Sequence, residues 1–432
     1  MERPAITPMP PLASTVGLPW DARTEDPAAD LRDARASLGD TFVVDSGDDR
    51  YLFVFSAPGV AAFYALPESM ASKGVADWRM LRRKLPDELF AGRRMLPDRL
   101  FGRDDVADYV RNVSRALEAT VDELGPEGQV DVFALSRRLG HRIGLASWGG
   151  PGAARGDTFE RLVEAFDTLD GADSFVHPDA MAAVASSGKS AEYRALDDIT
   201  EVFGVALDEL PGTETEHPLF ARVAANWSDE PEEVRRTGLA LDVVLIHIAS
   251  MSNLFAAIGW ALIDLLAHPR EAAGVRDGDR RLAESCALES TRLAQRSIMA
   301  RYVLKPIRME VGDGTYEVSP GVTVATFLPL TNSSAAPGLD VWDLGHWNGR
   351  RLADTSELRA VELVTTFGHG RHTCPAQPFS LSAMTSTVSF LLAEFDMVPM
   401  WSGEAGPVRN QIGGVARAAD PCPLRYRRRA RS

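Results

Sequence analysis

One stretch constrains the fold more than any other: Phe367-Gly368-His369-Gly370-Arg371-His372-Thr373-Cys374-Pro375-Ala376, a glycine turn that delivers a single cysteine to the start of a helix. Beyond Cys374, apolar residues recur at helical spacing (Leu381, Met384, Val388, Leu391, Leu392 and Phe395), which predicts a helix with one face packed inward. Pro375 and Pro378 fall in its opening turns, where a missing N–H costs little. The positive end of the helix dipole and free backbone N–H groups are expected to favour thiolate over thiol at Cys374. A thiolate held this way suits an iron ion that takes one axial ligand from the protein.

The string resembles the haem-binding loop of the cytochrome P450 family, Phe-x-x-Gly-x-[Arg/His]-x-Cys-x-[Gly/Ala], with Phe367, Gly370, His372, Cys374 and Ala376 in the patterned places. The resemblance implies haem b as cofactor, Cys374 as iron ligand, and one haem-thiolate domain over residues 1–432, mainly α with a small β portion. In that family a Glu-x-x-Arg pair anchors the chain leading to the haem loop; Glu289 and Arg292 stand at that spacing. The third partner there is usually Arg, whereas the corresponding stretch here, Trp342 to Trp347, offers His346, a weaker and titratable substitute. Haem propionates need cationic or donor partners. The resemblance assigns these to His372, to Arg301 and to an early arginine, Arg93 or Arg94.

Composition narrows the setting. A net charge of -15 argues against nucleic acid as a partner, and three cysteines give no disulfide framework and suit a reducing cytosol. The proline-bearing N-terminus (Pro8, Pro10, Pro11, Pro19) has no signal-peptide pattern, so a cytoplasmic protein without a membrane anchor is expected. Val243 to Ala267 is almost continuously apolar, but His247, Ser250, Ser252, Asn253 and Asp264 interrupt it, which reads as a core helix. That helix begins after Ser228-Asp229-Glu230-Pro231 and ends before Pro269. Helical period also covers Pro58 to Ala65, Asp105 to Leu124, Val130 to Ala146, Thr158 to Leu169 and Ala191 to Leu210, with a helix-poor loop between the last two. Strands are expected at Thr41–Val44, Tyr51–Phe55, Ile307–Val311, Tyr316–Val318 and Val322–Phe327. The basic run Arg425 to Arg431 reads as a solvated tail.

In the family, the long helix crosses the haem and carries an acid–alcohol pair beside bound oxygen. Counting back from Pro269 places Ser252-Asn253 there, after small Ala249 and Ser250. An amide donates and accepts hydrogen bonds but does not relay protons near neutral pH. Ser252 and Asn253 are the expected oxygen-side contacts. Asn253 followed by Leu254 to Trp260 is similar to the prostacyclin synthase and sterol 7α-hydroxylase branch, which contains peroxide-rearranging isomerases as well as monooxygenases. Helical spacing puts Leu245, Ile248, Ala249, Ser252 and Asn253 on one face. Ser297, Ile298 and Met299 join them as pocket residues, and His247 falls off that face as a core hydrogen bonder. The reading is a bacterial-type monooxygenase of a small to medium apolar metabolite in a biosynthetic pathway, served by a ferredoxin-type donor. An isomerase or dehydratase working without external electrons, and a non-catalytic haem binder, are the alternatives.

Overall fold

Side-chain caps start the helices close to where the residue spacing places them. Asp26 accepts from Ala29 N, Ser56 from Gly59 N, Asp131 from Phe133 N and Ala134 N, and Asp279 from Leu282 N, each satisfying donors that the first turn leaves open. The computed structural model describes residues 3–91, 102–171 and 178–430. In chain order the helices are α1 Pro27–Leu38, α2 Ala57–Ala65, α3 Lys73–Leu81, α4 Arg103–Leu124, α5 Val132–Trp148, α6 Gly156–Leu169 and α7 Pro178–Ser186. They continue as α8 Ser190–Glu209, α9 Pro218–Ala225, α10 Glu232–Ala267, α11 Pro269–Arg276, α12 Arg280–Ala294, α13 Leu328–Ser334 and α14 Gln377–Glu394.

A five-stranded sheet lies to one side, in spatial order Thr41–Ser46, Asp49–Val54, Val322–Phe327, Ile298–Val303 and Ala71–Ser72. Its pairings are antiparallel except for Asp49–Val54 against Val322–Phe327. The mainly helical body with a small β portion is as the residue pattern predicts.

Helix α10, with 36 residues and therefore about 54 Å long, runs through the centre and packs on α5, α8, α12 and α14. It is long and apolar enough to cross a membrane, yet most of that stretch is buried inside the fold. Gly140 and Gly144 let α5 lie almost against it. A Cβ at those positions would sit 2.3 Å from the Phe255 ring and 2.5 Å from the His247 ring.

Three expectations change. Helix α5 begins at Val132 rather than Val130, because Glu127–Asp131 pairs with Pro423–Arg428. The basic run is therefore no tail: Arg425 to Arg428 lies in the central strand of a three-stranded sheet. Leu424 and Tyr426 face inward, while Arg428 and Arg429 meet Glu394 at 3.4 Å and Asp396 at 2.5 Å. The loop expected between α6 and α8 contains α7. The segment from Pro67 to Glu88, which carries little periodic signal, folds α3 onto the strand Ile298–Val303.

A buried ion pair ties the β portion to the helices. Glu289 and Arg292 on α12 are both 0% exposed and joined by two hydrogen bonds of 2.8 and 2.6 Å. Arg292 also donates to Asn332 O and Leu339 O, while Glu289 accepts from Trp347 Nε1 and Asp343 N and meets His346 Nδ1 at 2.9 Å. Burial pushes the Glu289 carboxyl up. The bonds and charge of Arg292, with His346 and Trp347, outweigh that and hold it below its ordinary value. Its contribution to stability is therefore complete above the ordinary carboxylate range and disappears as pH falls through the depressed value. Glu289→Gln leaves a buried guanidinium uncompensated; a loss of about 3–5 kcal/mol is expected in denaturant unfolding at neutral pH.

Candidate functional site

The loop from Thr366 to Ala376 hangs from that ion-pair network. Asn332 accepts from Thr365 N at 2.8 Å and donates to Thr365 O and Arg292 O, so the loop's first residues are fixed to the end of α12. Thr365 Oγ1 then accepts from Gly368 N, and Cys374 N donates to Phe367 O at 2.7 Å, closing the turn. Gly368 adopts φ +81, and a Cβ there would stand 2.4 Å from the His372 carbonyl oxygen. This position, unlike the open Gly370, tolerates only glycine on both counts. Cys374 ends the turn, its carbonyl accepting from Gln377 N at the head of α14.

The thiol itself departs from expectation. Burial raises the Cys374 value above that of an ordinary thiol, and the Ala376 and Gln377 N–H groups and the Lys73 charge only partly offset this. Desolvation of the sulfur outweighs these local donors, and a bound cation's charge would favour the thiolate.

Cys374 lies in a cavity of about 430 Å³, a volume in the range of cofactor sites. Phe367, His372, Ala376, Ser297 and Met299 line it as the resemblance implies, and Ala249, Ser250 and Asn253 as the count along the long helix expects; Lys73, Thr291, Gln295, Thr366 and Val415 join them unforeseen. At its edge the Arg301 guanidinium lies against His372 Nε2. Arg301 is 1% exposed and donates twice to Ala71 O, with Glu68 at 3.5 Å as its ion-pair partner. Burial lowers both groups; Glu68 lifts each somewhat, and the Arg301 charge lowers His372 further. Arg301 brings a buried positive charge and His372 a largely neutral ring to the cavity edge, a combination that an anion such as a propionate would complement. One sulfur, largely apolar walls and this pair fit haem. Arg93 and Arg94 lie outside the described residues.

The face assigned to α10 divides in two. At about 100° per residue, Ala249, Asn253 and Ala257 turn toward the Cys374 cavity. Ile248, Ser252, Phe255 and Ala256 turn toward a second cavity of about 250 Å³. The cavities meet at Asn253 and Val415. Ser252 is therefore not the expected contact in the Cys374 cavity; it donates to Asp170 Oδ1 at 2.9 Å in the second. Asn253 Oδ1 accepts from Val415 N at 2.9 Å. A backbone N–H requires an oxygen partner, which assigns the amide orientation and leaves Asn253 Nδ2 as a donor at the junction.

Leu245 and Ile298 line neither cavity: Leu245 is buried among the helices, and Ile298 packs against the N-terminal strands. His247 makes the core contact expected of it, 3.1 Å from His141 Nδ1. His346 stands on Glu289, away from the cavities. Asp170 and Val415 were missed because the chain that brings them to α10 is remote in sequence and carries no periodic signal.

No family model matches the chain. It is 26% identical over 229 residues to the cytochrome P450 monooxygenase hepE of Aspergillus oryzae, covering 45% of this chain and 37% of that protein. Over 159 residues it is 28% identical to the cytochrome P450 monooxygenase cdmJ of Talaromyces verruculosus, covering 34% of this chain and 29% of that one. The matches thus span about a third of each relative's length. Among solved structures, the haem domain of cytochrome P450DA superposes with a TM-score of 0.70 at 16% identity, over 94% of both chains. CYP175A1 from Thermus thermophillus superposes with a TM-score of 0.62 at 18% identity, over 94% of this chain and 95% of that one. The chain has the cytochrome P450 fold.

Asn253→Ala removes the acceptor of the Val415 N–H. Hydrogen exchange at Val415 is expected to speed up by roughly tenfold, while amides in the middle of α14 keep their protection.

Proposed function

We propose that this chain is a haem-thiolate oxidoreductase, a monooxygenase of a small to medium apolar metabolite in a biosynthetic pathway. The observation that carries the reading is Cys374 in an apolar-walled cavity with the Arg301–His372 pair at its edge. The likeness to two fungal cytochrome P450 monooxygenases supports it. When bound, haem b supplies iron-centred oxygen chemistry, with electron density from the sulfur favouring O–O cleavage. Cys374 would hold the iron, and Arg301 with His372 the propionates. Asn253 Nδ2 donates to an oxygen-side ligand where the two cavities meet. A ferredoxin-type donor, a cytoplasmic setting and a bacterial-type chain complete this reading.

One observation favours a second reading, an isomerase or dehydratase like members of the prostacyclin synthase branch. The α10 face toward Cys374 offers an amide donor whose oxygen is already occupied by Val415 N, and Ser252 is turned away. An amide binds oxygen without passing it a proton. Cumene hydroperoxide mixed with the ferric protein, without any electron donor, separates the readings. Predominant alcohol means that protons reach the outer oxygen, as monooxygenation requires; predominant ketone means homolysis and favours rearrangement. Cys374→Ser is expected to abolish haem-thiolate absorption, and a thiolate spectrum in that variant would overturn the ligand assignment.

A further inference from the structure

The second cavity has walls from five separate parts of the chain: Met80 and Leu81 on α3, Phe133 and Arg137 on α5, Asp170, α10, and the segment Gln411 to Arg417. Most of these side chains are apolar. Arg137, Ser252, Asn253, Gln411 and Arg417 add polar groups, and Asp170, just past the end of α6, is the one carboxylate in the lining, with its side chain 9% exposed. Its backbone N–H closes the last turn of α6 on Phe166 O at 2.7 Å, which fixes where the carboxyl stands.

The carboxyl is under-supplied with donors. Oδ1 accepts from Ser252, while Oδ2 has only the Arg137 guanidinium at 3.9 Å, beyond hydrogen-bond distance. Arg137 is shared: its Nε donates to Asp167 Oδ1 at 2.5 Å, its Nη2 to the Asp170 carbonyl oxygen at 3.5 Å, and its guanidinium lies over the Phe255 ring at 4.9 Å. An ionised carboxylate offers about four acceptor sites, so one hydroxyl and a distant cation leave Oδ2 with acceptor capacity in a carboxyl that lines the cavity. The titration behaviour agrees: burial pushes Asp170 up to about 6, against the pull of Arg137, Ser252 and Lys84. A carboxyl in this condition gains from any ligand that brings an N–H or O–H.

We propose that Asp170 is the polar anchor of a ligand seat in the second cavity, selecting an apolar molecule that carries a hydrogen-bond donor, a hydroxyl or an amine. Asn253 and Val415 line both this seat and the Cys374 cavity, so a ligand held at Asp170 lies beside the cavity that contains the sulfur. Its role as substrate seat rests on the haem-thiolate reading above. Ser252 is a positioning residue: it occupies Oδ1 and leaves Oδ2 for the ligand.

Matched probes test this on the haem-loaded protein: 1-adamantanol, its donor-less methyl ether 1-methoxyadamantane, and 1-adamantanecarboxylate, each titrated by calorimetry with the haem absorption recorded on the same samples. The alcohol is expected to bind about tenfold or more tighter than the ether, and the carboxylate weakest. Asp170→Leu should bring alcohol and ether to equal affinity. Asp170→Asn, which keeps an acceptor oxygen, should preserve the alcohol's advantage. Equal affinities for alcohol and ether in the unaltered protein, tightest binding of the carboxylate, an alcohol preference that survives in Asp170→Leu, or no binding of any probe would each overturn the anchor. If either variant fails to fold, the alcohol-to-ether ratio of the unaltered protein still decides. Absence of the preference in the unaltered protein with haem-thiolate absorption intact counts against Asp170 alone. Absence of that absorption counts against the haem-thiolate reading.

Discussion

Two opposite charges sealed from solvent on one helix turn organise everything around the cysteine. Glu289 and Arg292 are desolvated completely, an arrangement that stabilises only when every remaining donor and acceptor finds a partner. Those partners come from distant chain: Asn332 and Leu339 carbonyls on Arg292, and His346, Trp347 and the Asp343 N–H on Glu289. Asn332 passes the restraint to Thr365, and Thr365 to Gly368. The position of Cys374 is thus a consequence of charge satisfaction on α12. With His346 in the network, one imidazole ring replaces the fork of donors a guanidinium would bring, and the two indole N–H groups of Trp342 and Trp347 fill in around Ser290 and Glu289.

Helix α10 is a partition. Side chains one residue apart on it point about 100° away from each other, so Asn253 reaches the Cys374 cavity while Ser252 reaches the next one. The segment ending at Val415 closes against this partition. A Cβ on Gly414 would stand 2.2 Å from Asn253 Oδ1, and the Val415 N–H takes that oxygen. What looks in the linear chain like a pair of adjacent polar residues is, in space, two residues with different tasks in different cavities.

Local signals carried most of what was legible. The turn around Cys374, the helix α14 behind it and the Glu289–Arg292 spacing are written in neighbouring residues, where turn chemistry, periodicity and i,i+3 geometry act directly. The limits of α10 follow from Pro231 and Pro269 for the same reason. The errors arise where a partner from far away overrides the local pattern. Val130 and Asp131 have helical period, but a strand from the other end of the chain captures them; the Arg425–Arg429 run reads as solvated because its buried alternates are only Leu424 and Tyr426. The helix dipole was rightly placed at Cys374 but lost to desolvation, a quantity set by packing.

By itself the sequence determined the kind of fold and the identity of the thiol ligand candidate, because a glycine at φ +81, a cysteine at a helix start and an acid–base pair on one helix turn are short-range requirements. It also determined that a long apolar helix must occupy the centre, since no other element could cover so much apolar surface. Only the tertiary structure decided which face of that helix meets the sulfur, that Asn253 surrenders its oxygen to Val415, and that Asp170 stands opposite Ser252 with an acceptor to spare. Those outcomes depend on helix rotation and on contacts between residues 82 and 162 positions apart. Periodicity carries no information at that range.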